Sequence, residues 1–261
     1  MTKNNVDFLY EIETVGFAAF SGIVPEELLR RVRIDVPKRE EICRQWQKKN
    51  GVESGTEGAA HHIVGGGDSL EEFLSALYLD EYIKSYFEGE YILNSFGALN
   101  NLPYSEDTYA HGQRFHRDVR TFSPNFRLML NMIVMVHDFS VHNGATKLIP
   151  GSHRIEARPS DEYLEANAVR AVGSAGTIIL FNSNLWHSAA PNTTNMPRMA
   201  LTLTFTRPFF KQQMDYPRML GEDFPKNERM RQVLGYNSRI PCSYDEWYQP
   251  PERRMYKPGQ G

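Results

Sequence analysis

The rhythm of apolar and polar positions changes near residue 90. Before that point apolar residues recur at helical spacing. Pro25-Glu26-Glu27 followed by LLRRVRI predicts a helix with proline in its first turn and acidic residues at the positive dipole end. Pro37 is expected to divide it from a second helix, KREEICRQWQKKN, which Gly51 ends. Residues 51–67 (GVESGTEGAAHHIVGGG) are glycine-dense and offer little to pack, so they read as a mobile loop. Asp68 or Ser69 then caps a helix with Glu71 and Glu72 in its first turn and Leu70, Phe73, Leu74 and Leu77 at helical spacing. YIKSYF (82–87) continues as helix up to Gly89.

Beyond residue 90 the apolar runs become short and rich in β-formers: YILNSFGAL, LMLNMIVMV, ATKLIP, AVRAV, GTIILF and MALTLTFT. Turn signals separate them, among them His142-Asn143-Gly144, Pro150-Gly151-Ser152 and Gly173-Ser174. Many short strands at such intervals predict an antiparallel barrel or jelly roll with the earlier helices as an outer buttress. The expected organisation is one domain over 1–261, with a helical buttress at about 25–88, a jelly-roll core at about 90–210 and a C-terminal extension at 211–261.

Composition narrows the function. At 261 residues, 41% hydrophobic, the chain can close one sizeable core. A net charge of −3, with basic residues scattered apart from the short RRVR (30–33) and ERR (252–254), gives no field that calls for nucleic acid. The two cysteines, Cys43 and Cys242, lie far apart and form no C-x-x-C, which argues against a disulfide framework or a thiolate metal site. The opening MTKNNVDFLYEIETVGF lacks a signal-peptide pattern and no apolar run approaches membrane-spanning length. The expectation is therefore a cytoplasmic protein with a small-molecule substrate and neither a membrane nor a nucleic-acid partner.

Among eight histidines there is one His-x-Asp, His116-Arg117-Asp118. Alone, the tripeptide fits a surface pair better than two metal ligands. In an extended segment, residues i and i+2 project from the same face, so both side chains can enter a barrel mouth. An imidazole and a carboxylate make two thirds of a 2-His-1-carboxylate facial triad, which leaves iron positions open for cosubstrate and O2. His187, directly after the apolar GTIILFNSNLW, is the candidate for the third ligand. Arg198 follows eleven residues later and enters MALTLTFT. A guanidinium buried there needs an anion, and its planar fork suits a carboxylate.

FHRD (115–118), NGATKLIPGSHR (143–154) and WHSAAPNTTNMPR (186–198) together resemble the phytanoyl-CoA dioxygenase-like branch of the Fe(II)/2-oxoglutarate oxygenases. The resemblance is good over roughly 90–207, and VGFAAFSGIVPEEL (15–28) fits the usual opening more loosely. It implies a mainly β, double-stranded β-helix (jelly roll, cupin-like) fold. It places iron on His116, Asp118 and His187 and the far carboxylate of 2-oxoglutarate on Arg198. Thr146 is implied as a further cosubstrate contact, and Asn131 as a candidate of the same kind.

The implied cofactors are Fe(II), 2-oxoglutarate and O2. The implied reaction is oxidation, foremost hydroxylation, of an unactivated C–H in a small metabolite or natural-product intermediate, with release of succinate and CO2. Asp118 fills the position that iron halogenases leave small for chloride. Desaturation, cyclisation and epimerisation share the same ligands, and a non-catalytic jelly-roll binding module is the further alternative. Of the other histidines, His153 reads as turn-stabilising, His137 and His142 as solvent or hydrogen-bonding positions, and His111 as a loop residue close to the metal motif. His61 or His62 contacts substrate if the glycine-rich loop closes over the barrel mouth. Met129, Met132 and Met135 read as core filling, and Trp186 as a pocket wall.

Overall fold

The computed structural model describes residues 3–105, 114–225 and 227–260. The chain runs α1 (Asn5–Thr14), β1 (Phe17–Phe20), α2 (Glu26–Lys49), β2 (Ala59–His61), α3 (Ser69–Ser75), α4 (Asp80–Phe87) and β3 (Ile92–Asn101). It continues through β4 (Met129–Met135), β5 (Lys147–Leu148), α5 (Asp161–Asn167), β6 (Val169–Arg170), β7 (Ile178–Asn182), β8 (His187–Ser188) and β9 (Arg198–Thr206). Three short helices close it: α6 (Tyr216–Leu220), α7 (Glu228–Val233) and α8 (Tyr244–Trp247).

The strands form two antiparallel sheets, a large one in the order β1-β7-β4-β9-β3-β2 and a small one in the order β6-β5-β8. This is a mainly β, jelly-roll architecture with helices laid on one side. Alternation along each strand gives the large sheet two unlike faces. Its outer face carries Phe96, Leu130, Met132, Leu180, Leu201, Leu203 and Phe205, which share one apolar cluster with Leu29 and Val32 of α2 and Leu70 and Phe73 of α3. Its inner face carries Ile133, Met135, Ile179, Phe181 and Ala200, which pack with Leu148 of the small sheet and with Phe139. Each fully buried Leu or Phe contributes about 1.5–3 kcal/mol from burial, so the outer cluster is the larger source of stability.

Two expectations about the N-terminal part are corrected. Pro37 does not divide the helix: α2 runs unbroken through it. A proline inside a helix forfeits one backbone bond and crowds the preceding turn, at about 3 kcal/mol. Contacts on both sides of it offset that cost. Leu28, Leu29, Val32 and Val36 are buried before Pro37. After it, Arg39 bonds Asp68 (2.9 Å), Glu40 accepts from Asn100 (2.7 Å) and Gln47 donates to the Ala59 carbonyl (3.2 Å).

The glycine-rich stretch, read as a mobile loop, contains β2, the edge strand of the large sheet, and buries Ala60, Ile63 and Val64. Glycines allow this pairing. A Cβ on Gly97 would stand 2.7 Å from the Ala60 carbonyl oxygen, and one on Gly58 2.3 Å from that of Asn100. The helix capped by Asp68 forms as expected, its carboxylate accepting from the Leu70 and Glu71 amides. The methionines divide between faces: Met132 is buried outside and Met135 inside, while Met129, at the strand end, is only partly buried. Among the described residues no helix is long and apolar enough to cross a membrane.

Candidate metal and cosubstrate site

His116 lies in a short extended segment that forms a single antiparallel bridge to His187 rather than a full strand. Each residue donates its amide to the other's carbonyl, at 2.9 and 3.0 Å, which brings the two rings to 4.3 Å between centroids. On its other side His187 pairs with Leu148 of β5. Asp118, two residues on, turns to the same side. Its Oδ1 lies 3.5 Å from His116 Nε2 and 3.8 Å from His187 Nε2. One ligand atom from each of the three groups lies within 4.8 Å of the others, a cluster of the size that one metal ion fills.

The backbone sets the tautomers. His116 Nδ1 donates to the Arg114 carbonyl at 2.9 Å and His187 Nδ1 to the Leu185 carbonyl at 3.0 Å. A carbonyl only accepts, so each Nδ1 holds the proton and each Nε2 presents its lone pair to the cluster. Burial lowers the affinity of His187 for a second proton, with Asp118 acting the other way. At His116 burial also acts downward, but the hydrogen bonds to Asp118 and Arg114 outweigh it and raise the value. Burial alone would raise Asp118; His187, His116 and Asn131 reverse this and hold it below the usual carboxylate value.

Asn131, on the inner face of β4, donates Nδ2 to Asp118 Oδ2 at 2.7 Å. It thus fixes one carboxylate oxygen and leaves Oδ1 toward the histidines. Its own Oδ1 is buried without a protein partner.

Arg198 opens β9 and is only 2% exposed. Nη2 donates to the Gly144 carbonyl at 2.9 Å and the guanidinium stacks over Phe139 at 4.0 Å from the ring centroid. Nε is buried without a partner, and among the described residues no carboxylate pairs with the group. Burial pulls its pKa down to about 10, so it remains a cation at neutral pH. A buried, hydrogen-bonding cation without a counter-charge fits an anionic ligand. Thr146, buried at 7%, lies two residues after the carbonyl that Arg198 grips.

The NGATKLIPGSHR motif fastens both ligand-bearing segments. Arg117, between the two candidate ligands, points away from them. It donates to the carbonyls of Ser152 (2.7 Å), Glu156 (3.1 Å) and Ile155. Ser152 Oγ accepts from the amide of Trp186, one residue before His187, at 2.9 Å. Asn184 donates to the carbonyls of Val119 (2.8 Å) and Thr121 (3.1 Å), gripping the loop after Asp118. Sequence reasoning did not identify Arg117, Ser152 or Asn184 as site-shaping. The only signal was the polar run Asn182-Ser183-Asn184 just before the candidate ligand His187, and polar turns are common.

The other sequence candidates disperse. His153 donates Nε2 to the Glu13 carbonyl at 3.1 Å, consistent with a turn-stabilising residue. His137 Nδ1 accepts from the Met199 amide at 3.2 Å. His142 offers its carbonyl to Thr193. His62 turns to the hydroxyl of Tyr216 at 3.0 Å, within the helix-side core, so it does not reach the cluster. His61 occupies the opposite side of β2, the side of the inner face. Trp186 packs against Phe115, Ile149 and Leu164 and stacks on Arg117 at 4.8 Å. His111 lies outside the described residues.

The family model described as phytanoyl-CoA dioxygenase matches residues 13–200. An uncharacterized protein of Mycobacterium tuberculosis is 40% identical over 149 residues, which covers 56% of this chain and 55% of that protein. Dioxygenase trt7 of Aspergillus terreus is 32% identical over 170 residues, 59% of this chain and 55% of that protein. The matched stretch spans about half the length of these curated relatives. The crystal structure of EctD from S. alaskensis with bound Fe superposes with a TM-score of 0.64 at 18% identity, covering 78% of this chain and 77% of that chain. That last likeness speaks to the fold alone. The match over 13–200, which takes in every candidate ligand, shows that this chain belongs to the phytanoyl-CoA dioxygenase family.

Proposed function

We propose that this protein is an iron- and 2-oxoglutarate-dependent oxygenase that hydroxylates an unactivated C–H bond of a small metabolite, with succinate and CO2 as co-products. The observation that carries this reading is a His116–Asp118–His187 donor cluster, held through Asn131 to the inner face of the large sheet on which a buried, uncompensated Arg198 also lies. The dioxygenase named among the relatives supports it.

His116 Nε2, His187 Nε2 and Asp118 Oδ1 would hold the iron. Arg198 would take the far carboxylate of 2-oxoglutarate, with Thr146 beside it. When bound, iron would activate O2, the oxidant, and 2-oxoglutarate would supply two of the four electrons that O2 takes up, the other two coming from the substrate C–H bond. The protein's own work is positional. The Leu185 and Arg114 carbonyls orient the two imidazoles, and Asn131 orients Asp118. Phe139 lies under the Arg198 guanidinium and Phe181 packs 5.0 Å from the His187 ring, so apolar surface backs both groups. With Asp118 filling the carboxylate position, oxygenation is favoured over halogenation. A non-catalytic module would bury Arg198 uncompensated for no return.

The test is anaerobic reconstitution with Fe(II) and 2-oxoglutarate, then O2 with a metabolite panel. The expected result is one iron per chain and substrate-stimulated succinate formation, with product analysis separating hydroxylation from desaturation, cyclisation and epimerisation. A chain that binds no iron under these conditions rules the reading out.

A further inference from the structure

Among the described residues the large sheet has six strands and the small sheet three, so the small sheet covers only part of the inner face. The β1-β7-β4 half packs in an apolar cluster with the small sheet. On the β9-β3-β2 half, the inward residues Thr202, Thr204, Ser95 and Leu99 are only partly buried, and Leu99 belongs to neither large apolar cluster. Strand register extends two rows from the donor cluster across this open half. One reads Phe181–Asn131–Thr204–Ser95 and the other Ile179–Ile133–Thr202–Gly97–His61. Asn131 holds Asp118, and neighbouring strands lie about 4.8 Å apart, so Thr204 is one strand spacing from that residue and Ser95 two.

On the open half these rows offer hydroxyls and one imidazole. Ser95 Oγ and Thr204 Oγ1 are 2.8 Å apart, so one hydroxyl proton joins them and the other stays available. The pair thus presents a donor and spare acceptor lone pairs together. Gly97 contributes no side chain between Thr202 and His61, which leaves a shallow floor between a hydroxyl and an imidazole. Neither row contains Lys, Arg, Asp or Glu. An acyl chain laid here would cover hydroxyls without replacing their hydrogen bonds, at about 1–3 kcal/mol for each group left unpaired. A charged group would meet no counter-charge within the rows themselves.

We propose that this open half is where the substrate lies, and that the Ser95–Thr204 pair, Thr202 and His61 recognise it as a neutral, hydroxyl-bearing molecule of the sugar or polyol kind. The inference rests on the oxygenase reading above and adds the substrate class. Partial desolvation lowers the His61 pKa, in the direction that suits a hydrogen-bonding role.

The test uses the full chain loaded with Fe(II) and 2-oxoglutarate. Succinate formation in air is compared across methyl glucoside, cellobiose, myo-inositol, palmitate and palmitoyl-CoA. At least one neutral hydroxylated probe should raise succinate formation saturably, and the acyl probes should not. Thr204→Val and Ser95→Ala should each raise the KM for that probe about three- to tenfold, the range for one neutral hydrogen bond. Thr204→Ser, which keeps the hydroxyl, should stay near the parent KM. Anaerobic Fe(II) titration of each variant shows whether it is folded and loaded. Stimulation by the acyl probes alone, or by no hydroxylated probe, overturns the proposal, as does an unchanged KM in loaded Thr204→Val. If the parent chain neither binds iron nor consumes 2-oxoglutarate, the oxygenase reading itself has failed and takes the substrate class with it.

Discussion

The two faces of the large sheet are made by the same strands and differ in almost every property. β9 shows this residue by residue. Met199, Leu201, Leu203 and Phe205 join the helix-side cluster, whereas Arg198, Ala200, Thr202 and Thr204 look inward. The outward set is apolar and sealed. The inward set includes a buried cation and hydroxyls that still meet solvent. One strand therefore carries a stability face and a chemistry face, offset by a single residue. A one-residue slip would exchange them. This division predicts that outward substitutions change stability and inward ones change ligand affinity.

Four experiments can break or sharpen that division. The largest effect is expected at Asp118: Asp118→Ala should abolish substrate-dependent succinate release while the apo-protein melts close to the parent. Full activity in that variant removes Asp118 from the ligand set. Next is the sealed face. Leu203→Ala should lower unfolding free energy by about 2–5 kcal/mol, read by denaturant titration, with the 2-oxoglutarate KM of the folded fraction unchanged. A shifted KM with intact stability would contradict the division outright.

Third, Arg198→Ala should raise the 2-oxoglutarate KM by roughly ten- to a hundredfold, the range for hydrogen bonds to a charged group, while sparing iron binding. Unchanged cosubstrate affinity would reassign the arginine. The smallest effect is expected at Asn131. Asn131→Ala should weaken Fe(II) affinity about tenfold through loss of its grip on Asp118, measured by anaerobic titration. Lower stability with parent-like iron affinity would make Asn131 a core residue instead.

Much of this was legible in the chain, unevenly. β3, β4, β7 and β9 are long, apolar and bounded by turns, so local pattern suffices to find them. β2 was invisible. Ala59 and Ala60 have little β-propensity, and the strand exists because Gly97 and Gly58 let it approach β3, a non-local circumstance. Pro37 misled for a related reason: the contacts that carry α2 through it come from residues 59, 68 and 100. At the site, His116, Asp118, His187 and Arg198 stood out by type and spacing. Asn131's grip on Asp118 depends on how β4 meets the 116–118 segment, which no local pattern encodes. Choosing between His61 and His62 likewise required the fold, because β2 ends at His61 and His62 follows it at a φ of 56°, turning to Tyr216.

The knot at Ser152 bears on how a metal enters and leaves. Arg117 and the Trp186 amide converge on that one residue, so His116, Asp118 and His187 are tethered through backbone carbonyls and amides rather than through the ion they would share. The donors behave as a socket, not a clasp. Their entropy is lost when the chain folds, before any ion arrives. An ion held there would exchange without refolding of the chain.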